Sequence, residues 1–169
     1  MQYIDHYDSP LGNITLAECN NRLCGLWFEG RKHFGCGLEK DYEIKDLPVF
    51  VQTKQWLDIY FQGSEPSFIP ELYLRGKPFQ EEVWAILRTI PFGKTTTYGE
   101  IASLIAEKRG LGYMSAQAVG NAVGRNPVSI IVGCHRVIGK DGSLTGYAGG
   151  MERKIWLLKN EGIKVKEQY

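Results

Sequence analysis

The sequence predicts an α+β protein in which a small strand-rich part is followed by a mostly helical part. Short apolar runs separated by Asn, Gly and Pro turns fill residues 1–30, and apolar positions after residue 76 recur with helical spacing. Gly76 and Pro78 interrupt both patterns. The chain has 169 residues, 43% of them hydrophobic, which is enough for one large domain or two small ones. We expect two domains, residues 1–75 and 76–169.

The first strands are predicted from the turns between them. Tyr3–Ile4 leads to a turn of sequence Ser-Pro-Leu-Gly-Asn at residues 9–13, and the next apolar run ends at Asn20–Asn21. The apolar run Leu23–Phe28 follows. Short runs bounded by such turns indicate an antiparallel meander.

From residue 49 to 62 the apolar period becomes helical. One helical face carries Val49, Thr53, Trp56, Leu57, Tyr60 and Phe61. Gly63 is placed to end this helix. Residues 68–74 then predict one more strand before the domain boundary.

A second helix is predicted over residues 79–90. Its apolar stripe consists of Phe79, Val83, Ile86, Leu87 and Ile90, and Pro91–Gly93 ends it. Thr97 and Glu100 have the spacing of a capping box at the start of the next helix. We expect Ile101, Leu104 and Ile105 to form the core face of that helix.

Another helix is predicted from the N-cap Ser115 to about Arg125, because Asn126 precedes a proline. Val119, Ala122 and Val123 can face the core. Two helices joined by a glycine-containing connection in a basic half suggest a helix-turn-helix, although most helix pairs only pack together. Ala116, Gly120 and Gly124 form a ridge without large side chains, which fits either a nucleic-acid surface or a neighbouring helix.

The charge is distributed unevenly. The whole chain carries a formal charge of +1, but residues 1–76 hold seven basic and eleven acidic residues, a net −4, and residues 77–169 hold thirteen and eight, a net +5. A basic half favours a polyanionic partner. The first residues lack the features of a signal peptide, and no apolar window is long enough for a membrane helix, so we expect a cytoplasmic protein with no membrane partner. Its four cysteines are then expected to be free thiols.

The chemistry is expected at Cys134. The β-branched run Ile130–Val132 should carry the chain into the core as extended structure, and Gly133 permits a turn before the cysteine. His135 follows directly, and neighbours in extended chain point to opposite sides, so a water between the thiol and the imidazole is expected. Glu161 is a candidate to orient the imidazole. An inert buried cysteine and a cysteine hydrolase also fit these residues.

Several motifs surround this cysteine. Residues 133–139 are Gly-Cys-His-Arg-Val-Ile-Gly, Asn126–Pro127 precedes them, and Gly-Tyr-Ala-Gly-Gly follows at 146–150. With these motifs the chain resembles the O6-alkylguanine-DNA alkyltransferases, also called methylated-DNA–protein-cysteine methyltransferases. The resemblance covers residues 76–163 and includes Pro78–Gln80, Ile90–Gly93, Thr97–Ala102, Ala118–Gly120, Trp156–Leu158 and Glu161–Gly162. The first third matches only in outline, at Ser9–Gly12.

The resemblance implies a small RNase-H-like α/β domain followed by a mostly helical winged-helix domain whose helix-turn-helix binds the DNA minor groove. It implies direct-reversal DNA repair, in which a flipped guanine gives its O6-alkyl group once to Cys134; activity on O4 of thymine stays open. His135 would act through water as general base, oriented by Glu161. Asn126 would brace the active-site turn, and the Tyr98 hydroxyl would donate toward guanine N3. The implied DNA-binding residues are Ser115, Ala116, Gln117, Gly120, Asn121 and Arg125, and the implied pocket residues are Val137, Tyr147, Ala148 and Gly149.

The implied partner is double-stranded DNA with an alkylated guanine, bound by a monomer without metal, nucleotide or other cofactor. Cys19 and Cys24 could be half of a metal site, but no further ligands are evident. A non-catalytic lesion-binding or regulatory protein on the same scaffold is the alternative, against which the presence of Cys134 argues. Three positions depart from the usual family pattern: Gly133 replaces proline, Gln117 replaces an arginine, and Ala148 replaces a frequent serine.

Overall fold

The computed structural model describes residues 1–35 and 38–165, and Cys36, Gly37 and the last four residues lie outside this description. The chain divides into two compact units. One consists of Met1–Arg75 with Pro127–Ile131, and the other of Gly76–Asn126 with Val132–Tyr169. Within the described ranges, no helix combines the length and apolar character needed to cross a membrane.

The first unit contains a four-stranded sheet in the order β3-β2-β1-β4. Its strands are β1 (Gln2–Ser9), β2 (Gly12–Cys19), β3 (Arg22–Phe28) and β4 (Tyr42–Ile44). The pairs β1–β2 and β2–β3 are antiparallel, which confirms the predicted meander. Strand β4 was not predicted; it pairs in parallel with β1, and its three residues are all exposed, so it carries no alternation of apolar and polar positions.

The predicted turns close this meander. Asn20 and Asn21 both have positive φ angles, 52° and 62°, as a two-residue hairpin turn requires. At the other turn, the Ser9 hydroxyl donates to the Gly12 carbonyl at 2.6 Å and accepts from the Leu11 amide at 3.1 Å. Local side-chain chemistry therefore sets the register of β1, β2 and β3.

The predicted strand at residues 68–74 is wrong. Only Leu72 forms a bridge, with Leu23 of β3, and Val128 forms a second isolated bridge with Leu26 of the same strand. Because β3 lies at the edge of the sheet, these two single bridges occupy its otherwise open backbone groups.

Helix α1 (Pro48–Phe61) begins one residue before the predicted range of 49–62 and ends before Gly63, as predicted. Its buried residues are Val49, Phe50, Thr53, Trp56, Leu57 and Tyr60. Phe61, predicted on the same face, is half-buried and stacks on Tyr7 with a centroid separation of 6.1 Å.

The second unit is mostly helical. Its helices are α2 (Pro78–Leu87), α3 (Tyr98–Arg109), α4 (Ala116–Gly124) and α5 (Met151–Asn160). Helix α2 ends three residues earlier than predicted, although Ile90 is still buried. The caps of α3 and α4 are confirmed: the Thr97 hydroxyl accepts from the Glu100 amide at 3.1 Å, and the Ser115 hydroxyl accepts from the Ala118 amide at 3.2 Å.

The predicted core face of α3 needs one correction. Ile101 and Ile105 are fully buried, but Leu104 is 52% exposed. Ala102 and Ala106 complete the buried face instead. This face is centred between the isoleucines and the alanines, which turns position 104 toward solvent.

A two-stranded parallel sheet lies next to the predicted active-site segment. Strand β5 (Thr96–Thr97) directly precedes α3, and β6 (Val137–Ile138) directly follows Arg136. Thr96 pairs with Val137, and Thr97 pairs with Ile138. This pairing holds the start of α3 and the residues after Cys134 side by side.

Candidate active site

Cys134 begins a single 3-10 turn, Cys134–Arg136, and is 5% exposed. The preceding segment is not the extended run expected from its β-branched residues. It forms a turn around Ile130, whose φ is +69°, and the Cys134 amide donates to the Val132 carbonyl at 2.8 Å. The prediction assumed that Cys134 and His135 lie in an extended chain and therefore point to opposite sides. That assumption is wrong, because the two residues lie in a 3-10 turn.

His135 and Glu161 lie together, as the sequence predicts. His135 Nε2 is 2.5 Å from Glu161 Oε2, and both side chains are fully buried. Glu161 is the residue after the last turn of α5, so the end of that helix carries the carboxylate to the imidazole.

Arg136 completes a buried charge cluster that was not predicted from the sequence. Its Nε donates to Glu161 Oε1 at 2.8 Å, and one terminal nitrogen donates to the Ile90 carbonyl at 2.8 Å. The Gly93 amide donates to the same Glu161 oxygen at 2.9 Å. Gly93 has a φ of +78°, which glycine adopts without strain. The turn after α2 therefore provides a backbone donor to the Glu161 carboxylate.

These contacts set the ionisation of the cluster. Burial alone raises the pKa of Glu161, but the hydrogen bonds and charges of His135 and Arg136 outweigh it and lower this pKa to about 2. Burial lowers the pKa of His135, and the attraction of Glu161 does not overcome that effect. At neutral pH Glu161 is therefore a carboxylate and His135 a neutral imidazole, with the imidazole proton on Nε2.

This tautomer leaves the other imidazole nitrogen as an acceptor. Among the described residues, His135 Nδ1 is buried and has no hydrogen-bond partner. A buried lone pair on a neutral imidazole can accept a proton, and Glu161 would stabilise the resulting cation.

Tyr98, the first residue of α3, lies near Cys134. Burial raises the pKa of its hydroxyl and a negative charge on Cys134 raises it further, whereas a hydrogen bond with Thr145 lowers it. The net shift is upward, so the phenol is protonated and can donate at neutral pH.

Lys154 is a further buried group that the sequence did not single out. Its side chain is fully buried in α5, and Nζ donates to the carbonyls of Val137 at 2.6 Å and Thr145 at 2.9 Å. Burial lowers its pKa to about 8, and attraction to Cys134 opposes that shift. A lysine at the fourth position of an amphipathic helix carries no sequence signal that separates it from a solvated one.

The predicted pocket residues precede this lysine in the chain. Val137 is fully buried in β6, Gly149 is buried, and Tyr147 and Ala148 are half-buried. The Tyr147 carbonyl accepts from the Gly150 amide at 2.9 Å. Since Lys154 holds the carbonyls of Val137 and Thr145, it links the two backbone segments to which these residues belong.

Asn126 joins the end of α4 to the approach to Cys134. It is 1% exposed, and its Nδ2 donates to the Val132 carbonyl at 3.1 Å. The buried face of α4 consists of Val119, Ala122 and Val123, as predicted.

The predicted DNA-binding residues occupy the opposite side of α4. Ala116, Gln117, Asn121 and Arg125 are exposed, and Ser115 and Gly120 are half-buried. The small residues of the ridge have different surroundings. A Cβ on Gly120 would lie 3.7 Å from the Tyr98 ring, whereas a Cβ on Gly124 would meet nothing within 4 Å.

Two family models cover the chain. The ribonuclease-like domain of 6-O-methylguanine DNA methyltransferase matches residues 3–78, and the DNA-binding domain of 6-O-methylguanine DNA methyltransferase matches residues 78–163.

Full-length relatives agree with this match. The methylated-DNA–protein-cysteine methyltransferase of Mycobacterium bovis is 44% identical over 165 residues, covering 92% of each chain. The constitutive enzyme of that name from Bacillus subtilis is 36% identical over 175 residues, covering 99% of this chain and 100% of its own. A crystal structure of Mycobacterium tuberculosis OGT in complex with DNA has a TM-score of 0.82 at 42% identity, covering 94% of this chain and 92% of its own. The chain therefore belongs to the 6-O-methylguanine DNA methyltransferase family.

Proposed function

We propose that this protein repairs DNA by moving an alkyl group from O6 of guanine to Cys134, once per molecule. The observation that carries the proposal is the cluster behind the cysteine, in which His135, Glu161 and Arg136 form a buried hydrogen-bonded chain. In a member of this family, that chain supplies a base next to a thiol and an anion to balance the base when it becomes charged.

The first step is removal of the thiol proton. His135 Nδ1 accepts it through a water, and the imidazole becomes positive against the Glu161 carboxylate. Arg136 and the Gly93 amide keep that carboxylate ionised and aimed at Nε2. The buried Lys154 ammonium attracts the negative charge that forms on Cys134.

The second step is the displacement itself. The thiolate sulfur forms a bond to the alkyl carbon while the bond from that carbon to O6 breaks, and its electron pair remains on the guanine. The Tyr98 hydroxyl donates toward guanine N3, which offsets the charge on the leaving base. The product is a thioether without a good leaving group, so the sulfur is not regenerated.

The substrate is double-stranded DNA whose damaged guanine is rotated out of the base stack. The exposed face of α4, with Gln117, Asn121 and Arg125, seats in the minor groove. Backbone groups at Val137 and Ala148 read the guanine edge, and Tyr147 forms one wall of the pocket. The protein acts as a monomer.

Peptide mapping after exposure to DNA containing O6-methylguanine tests this function. Trypsin releases Cys134 within residues 126–136, separate from the other three cysteines. A methyl group on this peptide supports the transferase. Binding of the lesion without methylation would instead indicate a non-catalytic lesion-binding protein, and inertness toward the lesion would exclude both. Cys36→Ser is the matched control, which should be methylated as the wild type is.

A further inference from the structure

A second pair of thiols lies outside the proposed alkyl-transfer site. Cys19 ends β2 and Cys24 lies in β3, on either side of the Asn20–Asn21 turn. Their Sγ atoms are 2.8 Å apart, and both residues are free and half-buried. Neighbouring strands of one hairpin therefore hold two reduced sulfurs in direct contact.

Gln2 of β1 organises this pair. Its Nε2 donates to Cys19 Sγ at 3.3 Å and to Cys24 Sγ at 3.4 Å. The same amide is fixed by the Glu18 carbonyl at 3.2 Å and, through its oxygen, by the Glu39 amide at 2.8 Å. Gln2 is 4% exposed, so the two sulfurs share a buried polar partner.

The two sulfurs are not equivalent. Burial raises the pKa of Cys24, and its hydrogen bond to Cys19 raises it further. Cys24 is thus the thiol that donates, and Cys19 Sγ is the sulfur that receives donors from both Cys24 and Gln2. A thiolate on Cys19 Sγ would accept hydrogen bonds from both of these donors.

In the part of the chain that the structure describes, no further metal ligands accompany the pair. No group of three or more His, Cys, Asp or Glu side chains with metal-binding geometry occurs within residues 1–35 and 38–165. The contact between two thiols favours sulfur–sulfur chemistry instead.

We propose that Cys19 and Cys24 form a reversible oxidation site in which a peroxide converts the two thiols into an intramolecular disulfide. The Cys19 thiolate attacks one peroxide oxygen, the O–O bond breaks, and Cys19 becomes a sulfenic acid as the first water leaves. Cys24 sulfur then displaces the sulfenic oxygen, forming the S–S bond and releasing the second water. Two thiols are oxidised and one hydrogen peroxide is reduced to two waters; a small dithiol reverses the change by exchange.

Trypsin makes the test direct, because Arg22 separates the two cysteines. Cys19 falls in peptide 1–22, Cys24 in 23–31, Cys36 in 33–40 and Cys134 in 126–136. The full-length wild type would be treated with hydrogen peroxide, its remaining thiols alkylated, and the digest analysed without reduction. We expect peptides 1–22 and 23–31 joined by a disulfide, and the link lost after dithiothreitol.

Variants assign the roles. Cys36→Ser should retain the link, whereas Cys24→Ser should lack it and leave Cys19 as a sulfenic acid that dimedone labels. Links formed mainly to peptides 33–40 or 126–136 would contradict the proposal. It would equally be overturned if Cys19 and Cys24 stayed open to alkylation at a peroxide concentration that oxidises Cys134.

Discussion

Glu161 shows how single contacts determine the chemistry of the cluster. Its two oxygens accept from His135, Arg136 and the Gly93 amide, which come from two separate parts of the sequence. The sequence predicted the pairing of His135 with Glu161, because both belong to motifs. It did not predict Arg136 or Gly93, since their roles depend on a turn conformation and on a side chain folding back toward α5.

Glu161→Gln should reduce stability at neutral pH and change its dependence on acid. A pKa lowered from 4.5 to about 2 stabilises the fold above pH 4.5, and this contribution is lost as pH falls through about 2. The lowered pKa of this buried group contributes about 3 kcal/mol to the free energy of unfolding. Urea unfolding from pH 7 to pH 3 measures it, with the exposed Glu152→Gln as control. We expect the wild type's advantage over Glu161→Gln to shrink below pH 4.5; an advantage independent of pH would be inconsistent with an ionised, hydrogen-bonded Glu161.

Lys154→Met should slow the reaction of Cys134 without abolishing folding. Methionine fills a similar volume but removes both the positive charge and the donor to the Val137 and Thr145 carbonyls. We expect an about tenfold slower reaction of Cys134 with iodoacetamide at pH 7, the effect of roughly 1.4 kcal/mol. Lys159→Met, at an exposed position of the same helix, is the control. Equal rates in both variants would show that the Lys154 charge does not act on the thiol.

Gly133→Pro should be more stable than Gly133→Ala. Gly133 has a φ of −74°, which proline can adopt, so proline restricts the unfolded chain by ~0.4–1 kcal/mol. A Cβ at this position would lie 2.9 Å from Arg136 Cδ, so both substitutions require the same side chain, which is held by Glu161 and the Ile90 carbonyl, to move. Thermal unfolding compares the two variants directly. We expect Gly133 to make the active-site loop looser than proline would. Equal stability of the alanine and proline variants would contradict this, as would a proline variant that keeps both the wild-type stability and the transfer rate.

At the scale of single elements, local signals were the most reliable. Both hairpin turns and the caps at Thr97 and Ser115 follow from side chains within three or four residues of the feature. The incorrect predictions concern segments whose structure depends on pairing with a strand that is distant in the sequence. Strand β4 exists through its pairing with β1, and residues 68–74 have strand composition but only one bridging partner.

Helix α4 is the element that we propose to bind DNA. Its exposed face is almost uncharged, because Arg125 is its only charged residue from 115 to 125. Affinity for the phosphate backbone should therefore respond strongly to one added charge.

Gln117→Arg should raise affinity for double-stranded DNA and steepen its dependence on salt. One added phosphate contact releases about one more counterion, so the slope of log affinity against log salt should become more negative by roughly one. Fluorescence anisotropy over a salt series measures it, with the exposed Gln55→Arg on α1 as control. An unchanged slope would place residue 117 away from the phosphates.

At the scale of the whole molecule, charge and chemistry follow the same division of the sequence. The net +1 of the chain combines a net −4 before residue 77 with a net +5 after it. The described residues of the Cys134 cluster and the exposed face of α4 both belong to the positive part. Composition alone could not show this, since an average over the chain conceals where the basic residues lie.

Counting lesions repaired per protein molecule tests the central claim most directly. A fixed amount of protein would be incubated with an excess of DNA carrying O6-methylguanine, and the repaired lesions and the intact protein mass followed to completion. Transfer to Cys134 predicts a plateau at one lesion per molecule and one methyl group gained per chain, both abolished in Cys134→Ser. Continued repair beyond one lesion per molecule, or repair with no gain in protein mass, would contradict it.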